Sequence, residues 1–150
     1  FTGHADWRFI AEVKAAVDVP VVANGDIVTV DDAQTCLAQS RADGVMIGRG
    51  AYGRPWFPAQ VAAFLATGER RPDPTWDTRR AVLTHHLDAM LRHYGRSHGL
   101  RLARKHIGWY ALGLPQAAAF RQIVNNTMDE QIVFNAVDRF FGPDHTQVAA

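Results

Sequence analysis

VPVVANGDI at residues 19–27 and ADGVMIGRG at residues 42–50 decide the fold. Each is a short β-branched, apolar run that ends in a polar turn containing glycine. A segment of helical periodicity, residues 31–40, lies between them. Strand, turn, helix, strand, turn is the βα unit of a parallel sheet. The turns Asn24-Gly25-Asp26 and Gly48-Arg49-Gly50 then fall at the carboxyl ends of their strands, the edge where α/β barrels carry their chemistry. Glycine there removes the Cβ that would hold a ligand away from backbone N–H groups. Two such turns side by side form an anion cradle, most often for phosphate. The amides of Gly25, Asp26, Gly48 and Arg49 are the expected donors, and the Arg49 guanidinium adds a charge-assisted bond. The Asp26 carboxylate would repel a dianion, so an Asx turn or a helix cap is its expected place.

Outward from these turns, Asp6 caps a first helix reaching about residue 16, with Phe9, Ile10, Val13 and Val17 on one apolar stripe to be buried. Thr29 or Asp31 starts the next helix, with Ala33, Leu37 and Ala38 inward. Pro55 opens a third, and Gly68 suits its end. GERRPDP then breaks the pattern, and residues 68–75 read as an interdomain linker. Beyond it the chain is helical, in segments 76–94, 97–112, 115–125 and 129–141. Short connections make them antiparallel neighbours in a small bundle. The expected domains are therefore residues 1–67, the linker 68–75, and a helical domain 76–150.

A (β/α)8 barrel takes about 250 residues, so 150 residues with two clear strands hold only the last βα units of one. The chain begins at Phe1 rather than Met, and the expectation is the carboxyl-terminal part of a longer protein. Net charge is +1 with 47% hydrophobic and 21% charged residues, an ordinary globular balance rather than a strongly basic one. The single cysteine, Cys36, excludes an intramolecular disulfide framework and fits a cytoplasmic setting. No apolar run approaches the ~20 residues of a membrane span.

Residues 100–114 divide into two faces on a helical wheel. Leu100, Ala103, Ile107, Tyr110, Ala111 and Leu114 share the inward face. Arg101, Arg104, Lys105 and the small Gly108 share the outward one, flanked by His106 and Trp109. Cations without interleaved carboxylates can track nucleic-acid phosphates, and Gly108 would admit a close strand. Arg79, Arg80, Arg92 and Arg96 are candidates to extend the surface. Adjacent helical residues point apart, so His85 and His86 do not form a metal site. Trp56, Trp76 and Phe120 read as core.

Gly53-Arg54-Pro55-Trp56 after the second turn, Arg101-Leu102-Ala103-Arg104-Lys105-His106-Ile107-Gly108-Trp109-Tyr110 and the opening Gly3-His4-Ala5-Asp6-Trp7 complete a pattern. It resembles the tRNA-dihydrouridine synthases, closest to the bacterial DusB (NifR3-like) branch, over nearly the whole chain. The resemblance implies an FMN-binding TIM barrel, the strands here being its seventh and eighth, followed by a helical tRNA-binding domain. It implies reduction of the C5–C6 bond of tRNA uridines with FMN as cofactor and NADPH as reductant. Asn24, Gly25, Asp26, Gly48 and Arg49 would then hold the FMN phosphate, and Arg101, Arg104, Lys105 and His106 would meet tRNA. The family's general acid is a cysteine in the first half of the barrel. Cys36 lies away from the catalytic edge and cannot take that role, so the fragment alone is expected to be inactive. His4 reads as a solvated histidine near the pocket mouth. The alternatives are another phosphate-ligand barrel enzyme and a non-catalytic helical RNA-binding module.

Overall fold

Residues 3–142 are described by a computed structural model of the chain, which divides into two units at Asp73 and Pro74. In the first, helix α1 (Trp7–Ala15) starts where the Asp6 carboxylate accepts the amides of Arg8 and Phe9. Strand β1 (Val22–Asn24) follows, then α2 (Val30–Ser40), β2 (Gly44–Met46), a single 3-10 turn (Arg49–Ala51) and α3 (Phe57–Thr67). Thr29 caps α2 in a reciprocal box with Asp32, which satisfies two otherwise orphaned amides. Gly68, at φ 75°, ends α3 in the left-handed conformation. The strands pair in parallel, with Val22 opposite Gly44 and Asn24 opposite Met46. The expected βα unit is therefore present.

The core of this unit is Ala23, Ile27, Ala33, Cys36, Phe57 and Val61, with Trp7, Ile10, Val45 and Ile47 packed at its margin. Two expectations about burial fail. The α1 stripe is not enclosed: Phe9 is 59% exposed, Val13 and Val17 are exposed, and only Ile10 turns toward the core. In α2 the inward positions are Ala33, Cys36 and Ser40, while Leu37 is half-buried and Ala38 exposed. Small residues let this helix sit close to the sheet. The expected linker is also no free tether up to Asp73. Gln60 Nε2 donates to the carbonyls of Arg71 and Pro72 and to Asp73 Oδ1, Trp56 Nε1 donates to Asp73 Oδ1, and Arg70 pairs with Asp31.

The second unit consists of α4 (Trp76–Tyr94), α5 (Arg96–Tyr110), α6 (Ala117–Asn126) and α7 (Glu130–Phe140). Only Gly95, at φ 78°, separates α4 from α5. The turn back is tight because Gly99 sits on the Met90 carbonyl, 2.7 Å from where a Cβ would stand. His86 meets Tyr110, Gly108 meets Arg121, and Phe120 stacks on Phe140, so successive helices run antiparallel. Leu83, Leu87, Leu100, Ile107, Val124, Val133, Val137 and Phe141 fill the centre. The predicted inward face of α5 is buried from Leu100 through Ala111, with Leu114 half-buried. Phe120 is core, as read; Trp56 and Trp76 are half-buried.

Candidate phosphate cradle and basic helix

Parallel pairing ends at Asn24 and Met46, so the turns that follow emerge together at the carboxyl edge of the sheet. They line a cavity of about 830 Å³ with Gly3, His4, Ala5 and Tyr52. Among the described residues, none of the turn and loop hydrogen bonds engages the amides of Gly25, Asp26, Gly48 or Arg49. The three glycines differ in purpose. A Cβ on Gly48 would meet only Asn24 Oδ1, 4.0 Å away, so the space above it is open. A Cβ on Gly50 would stand 2.1 Å from the Ile27 carbonyl oxygen, and one on Gly25 (φ 123°) would strike Ala5 Cβ at 2.6 Å. Gly48 leaves room for a ligand, whereas Gly25 and Gly50 let protein segments approach each other.

Asp26 neither makes an Asx turn nor caps a helix. Its Oδ2 accepts the Ala5 amide at 2.7 Å and its Oδ1 faces Arg49 Nη2 at 3.3 Å. Trp7 Nε1 donates to the Gly25 carbonyl at 3.1 Å, so the opening loop is docked onto the first turn. The sequence reading missed the role of Arg54. Its Nη2 donates to the carbonyls of Val28 and Gly50, both at 2.8 Å, and its guanidinium lies 4.4 Å over the Phe57 ring. One side chain thereby staples the loop after β1 to the loop after β2. The signal was an arginine close behind two glycine turns whose carbonyls need donors.

On α5 the four predicted RNA-contacting residues separate. Arg101 and Lys105 are exposed, and Lys105 Nζ lies 4.9 Å over the Trp109 ring. Arg104 is half-buried and turned to the α6–α7 connection, where Nη2 donates to the Thr127 carbonyl at 2.8 Å. Its Nε is buried without a partner. His106 is half-buried against His86 and Trp109, and burial followed by the charges of His86 and Lys105 lowers its pKa. Gly108 is half-buried and faces the Arg121 stem, whose Cδ lies 3.5 Å from where a Cβ would stand. The proposed extension of the basic surface is committed internally. Arg80 pairs with Asp77, Arg92 with Asp88 and Arg96 with Glu130, while Arg79 donates to the Pro74 carbonyl.

Against known proteins, residues 1–141 match the family described as Dihydrouridine synthase (Dus). The chain belongs to the dihydrouridine synthase family. It is 45% identical over 141 residues to a probable tRNA-dihydrouridine synthase of Rickettsia bellii, covering 94% of this chain and 43% of that protein. It is 50% identical over 134 residues to tRNA-dihydrouridine synthase B of Xanthomonas axonopodis pv. citri, covering 88% and 40%. A probable tRNA-dihydrouridine synthase of Rhodobacter capsulatus is 54% identical over 112 residues, covering 74% and 34%. The chain thus spans about two fifths of the length of the curated relatives it matches.

Cys36 is fully buried on α2, and burial pushes its thiol pKa up. A thiol so placed is not reactive. His4 extends into solvent at the cavity mouth, its Nδ1 3.8 Å from Asp26 Oδ2. His85 is exposed, while His86 turns inward and its Nδ1 meets the Tyr110 hydroxyl at 3.2 Å. Burial raises Tyr110 to about 12 and lowers the His86 pKa. Among the described residues no helix is long and apolar enough to cross a membrane.

Proposed function

We propose that the chain is the carboxyl-terminal part of an FMN-dependent tRNA-dihydrouridine synthase. Its first unit supplies the last βα elements of a TIM barrel and its second a tRNA-docking helical domain. The observation that carries this reading is the parallel register of β1 and β2, which sets both glycine turns side by side around one cavity. The fit to a flavin phosphate is chemical: amides outside the turn bonding, open space over Gly48, and one guanidinium. Gly25, Asp26, Gly48 and Arg49 would hold the phosphate through backbone and charge, with Asn24 beside them. Bound FMN supplies hydride chemistry at the C5–C6 bond of uracil, with NADPH as the reductant.

Arg101 and Lys105 hold tRNA phosphates, with His106 beside them, and Arg104 fixes the α6–α7 connection behind them. A uridine in folded tRNA must leave its stack at a cost of a few kcal/mol. Backbone contacts remote from that base offset the cost. Cys36 donates no proton to the substrate, and residues 1–150 alone reduce no uridine. The enzyme acts on tRNA in the cytoplasm.

The test is a Gly48→Val variant of the native-length protein. It is expected to stay folded, lose flavin absorbance and lose dihydrouridine formation in digested tRNA. Full flavin content and full uridine reduction in the folded variant would remove the cradle.

A further inference from the structure

Asp26 stands where a phosphate site has least use for a negative charge. Among the residues lining the cradle it is the acid and Arg49 the arginine. The two Asp26 oxygens have separate partners: Oδ2 takes the Ala5 amide, and Oδ1 takes the Arg49 guanidinium. The Asp26 side chain is 30% exposed and that of Arg49 66%, so the loop bond is the sheltered one and the arginine is the more exposed partner. Arg54 cannot substitute for Arg49, because its Nη2 is held by two carbonyls. The exposed His4 ring also faces the carboxylate, its Nδ1 3.8 Å from Oδ2. A carboxylate here repels a dianion on the neighbouring amides and competes for the cation that would bind it.

Building on the phosphate-cradle reading, we propose that Asp26 determines the cradle's selectivity by holding Arg49 in reserve. Arg49 leaves Oδ1 for the phosphate group of a bound monoester, while Oδ2 keeps the Ala5 amide and the opening loop stays docked. Asp26 thereby lowers the affinity for phosphate-bearing ligands below what the amides and Arg49 alone would give. It leaves ligands without a phosphate unaffected. The selectivity between FMN and riboflavin is then set by a side chain that need not touch either.

The test is titration of the native-length protein with FMN and with riboflavin, read by flavin fluorescence. Asp26→Asn keeps an oxygen for the Ala5 amide and removes the charge. It is expected to tighten FMN by about two- to fivefold, the scale of a partly exposed ion pair, and to leave riboflavin unchanged. Arg49→Gln, which leaves the loop bond alone, is expected to weaken FMN and not riboflavin. Asp26→Ser, which also removes the charge and offers an oxygen acceptor, is the second variant if Asp26→Asn does not fold, and carries the same expectation of tighter FMN and unchanged riboflavin. Unchanged or weaker FMN binding by folded Asp26→Asn, or equal effects of Arg49→Gln on both flavins, makes Asp26 a loop anchor only. A wild-type protein that binds FMN no tighter than riboflavin fails earlier, at the cradle itself, and the proposal falls with it.

Discussion

The helical unit encloses a core of its own, whereas the βα unit, built from nearly as many residues, leaves much of its apolar surface outside. Four antiparallel helices each turn one stripe toward a shared centre, so Leu87, Ile107, Val133 and Phe141 are all within 1% of full burial. A parallel sheet is normally covered on both faces, and two strands with helices packed around Ala23 cover only one. Val22 (59% exposed) and Met46 (54%) share the open face. Equal apolar content therefore does not give equal burial. Local elements form in both units, but only one of them completes its burial with its own residues.

The largest expected effect tests that contrast directly. In the 150-residue chain, Leu87→Ala or Ile107→Ala should each cost about 2–5 kcal/mol by urea unfolding. Phe9→Ala should stay within about 0.5 kcal/mol. A comparable loss at Phe9 would mean that the α1 stripe is covered and the contrast is false.

Within the βα unit, Gly50→Ala should cost about 1–3 kcal/mol by forcing a Cβ against the Ile27 carbonyl, while Gly48→Ala should be close to neutral. Equal thermal melts for the two variants would erase the distinction between a packing glycine and a ligand-facing one.

The two units should also lose stability at different pH. Burial, first among the causes, lowers the pKa of His86 and His106 below the ordinary 6.5. The unfolded state then binds more protons, and stability falls as pH drops through 6.5 toward the folded values. In the βα unit, Asp43 is lowered chiefly by its Lys14 bond and Asp31 by its Arg70 bond. Their contribution is present above 3.8 and is lost only as pH falls further. Chemical shifts of Tyr110 in NMR, set beside those of Ala23, should report the helical unit responding first. Simultaneous loss would couple the units.

The smallest expected effect on folding is at Arg101 and Lys105. Changing both to alanine should move stability by no more than about 0.5 kcal/mol, since alanine is a good helix former and both side chains are exposed. In the native-length protein the same pair should flatten the salt dependence of tRNA binding by about 0.7–0.9 log–log units per lost phosphate contact. Coincident lines would make them ordinary surface charge.

The strand–turn–helix–strand order was legible because its signals are local: alternation, capping residues and glycine turns within a few positions of each other. So were the Asp6 and Thr29 caps and the inward face of α5. Burial of Phe9 and Val13 was misread because an apolar stripe states a preference for a partner without providing one. The exposure of Arg104 was misread for the converse reason. The helical wheel places the residue beside Arg101, but its guanidinium reaches Thr127, a residue of the next connection. Arg54 carried a role that spacing alone does not encode, because its two carbonyl acceptors lie on different loops.

By itself, then, the sequence determined the βα unit, the helical stretch, the two glycine turns and the family likeness, all of which rest on periodicity and short-range chemistry. Only the tertiary structure decided which charges remain available. Asp26 is claimed by Ala5 and Arg49, Arg104 by Thr127, and Arg80, Arg92 and Arg96 by nearby carboxylates. The physical reason is that a side chain's long-range partner depends on which segments meet in space, and a charge's role depends on whether that partner has already satisfied it.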